Sequence, residues 1–165
     1  MLDITDSNQT WEQSKLETVN IKVDLRIITH DAVSEPPFVN ISLNGFPQFG
    51  KICEQDTLVD IDVEIEDDTE NFLTIEYNNK NAKQDVVLGA DGMPVADKRI
   101  EINSIFFDDI ELEFFKLADS DTFKYEPVDP EGYKTTGYEA SKLAWNGRTT
   151  LRFTTPIYIW LLENL

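Results

Sequence analysis

Cysteine is nearly missing from this chain: Cys53 stands alone, so neither an internal disulfide framework nor a cysteine-rich zinc site is open to it. No histidine or basic cluster flanks Lys51-Ile52-Cys53-Glu54, so the thiol reads as a small, half-buried strand residue rather than a reactive one. Histidine is as scarce. His30 has no serine or cysteine elbow motif around it, and no glycine-rich phosphate loop occurs, so no catalytic set is visible. Paired carboxylates carry no information among 32 acids, because any pair can be drawn. No run approaches the ~20 apolar residues of a membrane-crossing helix. Met1-Leu2-Asp3-Ile4-Thr5-Asp6 lacks the basic and apolar segments of a secretory leader, so the expected location is a cytoplasm, or a virion assembled in one. Bases are few: 14 against 32 acids, for a net charge of −18. Such a surface repels phosphate backbones, which argues against nucleic acid and favours cations or a basic partner surface.

What is present is ample apolar material for one core. Hydrophobic residues make up 41% of the 165, with ten phenylalanines. The dominant pattern is alternation. Val19, Ile21, Val23, Leu25 and Ile27 interleave with Asn20, Lys22, Asp24 and Arg26, which predicts a strand with one wet face. Pro36 and Pro37 close the following loop. Phe38–Leu43 alternates again, and Asn44-Gly45 predicts a type I′ hairpin turn into a short strand, with Gly50 as its bulge. Leu58–Ile65 is the next strand, with Val59, Ile61, Val63 and Ile65 inward. Its outer row, Asp60, Asp62, Glu64 and Glu66, reads as a solvated face that guards against edge pairing.

Phe72–Tyr77 and Ile100–Leu112 read as two further strands, the second running on through Phe114–Leu117. The loop between them is rich in side-chain oxygens: Asn78, Asn79, Asn81, Asp85, Asp91 and Asp97, with Gly89 and Gly92. Calcium takes six to eight oxygen ligands. The loop is therefore either an ordinary polar connection or a seat for a hard cation. Residues 118–148 read as a long surface excursion, weakly periodic and rich in proline and glycine. Thr149–Thr155 is a last strand. Residues 156–165 form an apolar tail, and residues 1–17 a polar arm carrying Trp11. Two readings of Ile157, Tyr158, Ile159, Trp160, Leu161 and Leu162 stand side by side: a helical turn or strand that closes the core, or a docking tail for another subunit. The fold class is all-β: an antiparallel β-sandwich, jelly-roll-like, in a single domain from residue 18 to 165.

Four stretches follow one another in order: Val19–Ile27, Val39–Gly45, Leu73–Asn79 and Asp97–Ile105. The succession resembles the calcium-dependent xylan-binding class of carbohydrate-binding modules. It matches in strand rhythm, in the Leu43-Asn44-Gly45 turn, in the pair Asn78-Asn79 and in Asp97 ahead of the last strand. The resemblance covers residues 19–112. It implies calcium held by Asn78, Asn79 and Asp97, with Asn79 standing where that family carries its second acid, and the loop itself offers Asp85 as a further ligand. A sugar-binding role further points to Tyr77, Tyr125, Tyr133 and Trp145 as ring-stacking residues. In its polar arm, apolar tail and lack of a linked enzyme, the chain also resembles small structural proteins of tailed bacteriophage particles. The expected function is thus a non-enzymatic structural, decoration or tail-associated subunit of a viral particle. It would dock other protein subunits through Trp11 and the tail. The alternative is a calcium-dependent polysaccharide-binding module.

Overall fold

A computed structural model of the chain describes residues 15–31, 33, 35–119 and 121–165. Trp11 and most of the arm lie outside the described residues. In chain order the strands are β1 (Leu16–Ile28), β2 (Phe38–Leu43), β3 (Phe46–Ile52), β4 (Thr57–Glu66), β5 (Glu70–Tyr77), β6 (Val87–Leu88), β7 (Pro94–Ala96), β8 (Arg99–Phe107), β9 (Ile110–Glu111), β10 (Phe123–Pro127), β11 (Thr135–Thr136), β12 (Lys142–Leu143) and β13 (Gly147–Thr154). Short helices occupy Ala82–Asp85 and Ile157–Asn164, and 3-10 turns occupy Phe114–Lys116 and Gly137–Ser141.

Two antiparallel sheets face each other. One runs β12-β8-β1-β4, with β9 folded back on β8; the other runs β11-β10-β13-β5-β2-β3. The alternation read in the sequence is what places them. Val19, Ile21 and Val23 of β1 stand opposite Val63, Ile61 and Val59 of β4, so their side chains share the inner face. From the other sheet, Ile41, Leu73, Ile75, Leu151 and Phe153 close the same core, all essentially excluded from solvent. The all-β sandwich read from the sequence is the fold observed.

The first hairpin turns where expected. Asn44 and Gly45 have φ of 52° and 83°, the double positive φ that a type I′ turn demands. The bulge differs from expectation. Ile41 faces Phe49 and Ser42 faces Pro47, so Gln48 is the extra residue, and Gly50 sits in regular pairing with Asn40.

Three further readings are corrected. The strand beginning at Arg99 does not continue to Leu117. It reverses at Asp108-Asp109, whose φ values of 48° and 67° make a second hairpin of the same type. Aspartate is among the few residues besides glycine that tolerate this region, and Asp108 Oδ1 also accepts the Asn20 N–H of the neighbouring strand at 2.8 Å. Apolar residues keep recurring across the turn, from Ile105 and Phe107 to Ile110 and Leu112, so no gap in the pattern marks the reversal. Residues 118–148 are not a surface excursion. They contain β10, paired with β13 and burying Phe123 and Tyr125, and β12, paired with β8 in the opposite sheet. β10 offers too few inward positions before Pro127 for a period of two to register. Finally, Leu16 and Glu17 belong to β1 rather than to the arm.

The C-terminal helix buries Ile157, Trp160 and Leu161, the i, i+3, i+4 stripe of one helical face. The Trp160 ring lies 5.9 Å from Phe107 and 6.1 Å from Phe153. The opposite face leaves Tyr158, Ile159, Leu162 and Leu165 exposed. The tail therefore closes the core with one side and keeps an apolar side outward.

Candidate functional site

The segment between β5 and β8 is tied down by two buried lysines that the sequence reading passed over. Lys98 is fully enclosed; its Nζ donates to the Asn79 carbonyl at 2.8 Å and lies 3.4 Å from Asp85 Oδ2. Asp85, equally enclosed, also accepts the Asn81 N–H at 2.6 Å, while His30 Nε2 lies 2.8 Å from the Asp85 backbone oxygen. Lys80 Nζ contacts Asp97 Oδ1 at 2.6 Å and the Ala144 carbonyl at 2.5 Å. The Tyr77 hydroxyl donates to the Lys98 carbonyl at 3.0 Å.

These are oxygens that the resemblance would give to calcium. Each ammonium brings a positive charge and three donors to carbonyl and carboxylate oxygens. Asn79 is committed elsewhere: its Oδ1 accepts the Phe38 N–H, and its Nδ2 donates to Glu35 and to the Pro36 carbonyl. Asn78 is at the surface beside Glu76. The structure thus ties Asp85 to Lys98 and Asp97 to Lys80, and leaves Asn78 apart. Among the described residues no group of three histidine, cysteine or acidic side chains is placed to hold a metal ion.

The second assembly is a surface groove of about 620 Å³. Tyr125 comes from β10, Tyr133 from the loop before β11, and Trp145 from the turn into β13, and all three line it. Three of the four aromatics singled out from the sequence therefore meet at one place. Tyr133 is 91% exposed and Trp145 37% exposed, so both rings offer a face to solvent. Tyr125 forms the floor. Its hydroxyl donates to the Trp145 carbonyl at 2.8 Å, and burial pushes its pKa up to about 12. Tyr77, the fourth, is wholly buried and reaches no surface. Burial first, and then the Asp85 and Asp97 charges, drive its pKa upward.

The two assemblies share Lys80, whose Nζ lies 5.4 Å from the centre of the Trp145 ring while it holds Asp97 and Ala144. The buried ion pair thereby fixes the tryptophan that walls the groove. Polar groups are present as well: the carboxylates of Asp129 and Glu139, and Thr135, whose enclosed Oγ1 has no hydrogen-bond partner among the described residues. Gly132 keeps the loop tight, since a Cβ there would come within 2.6 Å of the Pro127 ring.

No known protein family, curated protein or solved structure matches this chain. The site is therefore read on its own geometry. An exposed tyrosine and tryptophan with a tyrosine floor and flanking carboxylates suit a ligand with flat apolar faces and hydroxyl edges.

The residues named for docking divide. Ile157, Trp160 and Leu161 are consumed by the chain's own core, whereas Tyr158, Ile159 and Leu162 face outward.

Proposed function

We propose that this chain is a non-catalytic binding subunit that holds a polysaccharide strand in the groove of Tyr125, Tyr133 and Trp145, without calcium. The observation that carries the reading is the convergence of three aromatics from separate segments on one surface groove. Pyranose rings have apolar faces that stack on aromatic side chains and hydroxyl edges that seek carboxylates and hydroxyls. Lys80 and Lys98 stand among the loop oxygens, which supports a cation requirement met from within the chain.

The setting we propose is a larger protein assembly, a viral particle, in which the subunit docks by its C-terminal helix. The outward Tyr158, Ile159, Leu162 and Leu165 support that part. β13 begins beside the groove at Gly147 and ends next to the helix at Thr154, so the two lie at opposite ends of one strand. Eight residues at the rise of a strand separate them by about 25 Å. Docking at one end leaves the groove free at the other.

Affinity electrophoresis through gels carrying xylan, a glucan or a mannan tests the groove. We expect retardation by at least one gel, equal with calcium or EDTA. Tyr133→Ala and Trp145→Ala should weaken it by roughly 10- to 100-fold, in line with the loss of one or two stacked rings. Tyr133→Ala should also leave the melting temperature unchanged, because that side chain is almost fully in water. Indifference to every glycan, or variants that bind as the parent does, overturns the reading.

A further inference from the structure

We propose that the outer edge of β4, with the cleft beside it, takes up an extended lysine- or arginine-bearing segment of a partner protein as an added strand. The two sheets end on the same side, one at β4 and the other at β3. Between those edges lies a cleft of about 700 Å³, reached by Asn44 and Phe46 of the hairpin and by Asp62, Glu64 and Glu66 of β4.

The two edges are built differently. β3 carries three of the devices that keep a sheet edge from pairing: Pro47 has no N–H to offer, Gln48 is a bulge, and Lys51 is a charge. β4 runs ten residues without proline or glycine and keeps unbroken register with β1. Among the described residues no strand pairs with its other side. Unpaired N–H and C=O groups along a long regular edge are a template for another strand. The one guard β4 has is its row of acids. Glu64 and Glu66 have no lysine or arginine within 4 Å among the described residues, whereas Glu70 nearby is paired with Arg152. Like charges directly across a strand pair are unfavourable, so this row repels a second copy of β4. The same row attracts a strand with bases at alternate positions.

The floor of the cleft supplies apolar contact. Val63 and Ile65 turn inward between the acids, and Phe46 stands 72% exposed at the rim. Asp62 to Glu66 spans about 13 Å of strand, room for five residues of an incoming segment. The chain's own first fourteen residues carry three acids and no base, so charge makes them a poor occupant. A basic segment of another protein fits both the backbone and the charge.

The experiment uses the full chain and an eight-residue peptide of alternating lysine and valine, with a glutamate-valine peptide as control. Hydrogen exchange should slow at the outward amides of β4 when the lysine peptide is added, and should not change with the control. Glu64→Gln with Glu66→Gln should weaken binding by roughly tenfold, the sum of two partly exposed charge pairs, without lowering the melting temperature. Affinity should fall as salt is raised. Three results overturn the proposal: protection that appears in the aromatic groove instead, a double variant that binds as the parent does, or outward β4 amides already protected in the free chain. The last would mean that the chain covers this edge itself.

Discussion

Lys98 decides how the segment between β5 and β8 is held. An ammonium with no solvent contact is stable only if its charge and donors are met, and here the Asn79 carbonyl and the Asp85 carboxylate meet them. Replacing it by methionine keeps the stem and removes the charge, which strands a buried carboxylate. We expect Lys98→Met to cost about 3–5 kcal/mol in urea unfolding. Lys98→Met with Asp85→Asn should recover a substantial part, because the orphaned charge goes with its partner. A Lys98→Met variant as stable as the parent would mean that the pair contributes little. The position was open to inspection in the sequence. Residue 98 shares parity with Ile100 and Ile102, which are inward, so a lysine there is pointed at the core. The polar surroundings masked that parity. The groove residues were visible by type, as tyrosine and tryptophan in a region with weak pattern. Their meeting was not, because it depends on how β10, β11 and the turn at Trp145 are brought side by side.

At the scale of elements, the C-terminal helix shows how a weak local signal is rescued by distant contact. Eight residues are too few to form a stable helix alone. Pro156 at the N-cap has no side chain to satisfy the first N–H groups. Glu17 of β1 does so from 140 residues away, its two carboxylate oxygens accepting the Ile157 N–H at 3.0 and 3.2 Å. A carboxylate is also favoured at the positive end of the helix. Glu17→Ala should therefore cost about 1 kcal/mol, a fall of ~2–4 °C for a chain of this size, with Trp160 fluorescence shifting first. Glu17→Gln keeps an acceptor and should lose less. An unchanged melting temperature for both would refute the cap. Nothing in the sequence linked Glu17 to Ile157, and the tail stayed open between helix and strand for that reason. The long amphipathic strands were legible because each repeats its inward residue four or more times. β10 and the reversal at Asp108-Asp109 were not, since one is too short and the other leaves no gap in the run of apolar residues.

For the molecule as a whole, charge is the term that sequence states outright and that the fold leaves unbalanced. Even with every lysine and arginine paired to one acid, eighteen carboxylates remain. Confining them in a sandwich raises their mutual repulsion above that of the unfolded chain, so the excess charge opposes folding. Sodium chloride screens it: the Debye length falls from roughly 20 Å at 20 mM to about 4 Å at 0.5 M. Surface ion pairs such as Arg152–Glu70 and Lys22–Asp109 are screened too, but each contributes at most ~1 kcal/mol. The buried Lys98–Asp85 pair lies beyond the reach of salt. Repulsion therefore wins, and the melting temperature should rise by several degrees over that range. Calcium chloride at matched ionic strength should add little beyond sodium chloride, because the buried ammoniums already occupy the loop oxygens. A calcium-specific rise at millimolar concentration would mean that a divalent ion binds the native state, since a ligand stabilises the form it binds. It would also overturn the account in which lysines, and not a metal, hold the groove in shape.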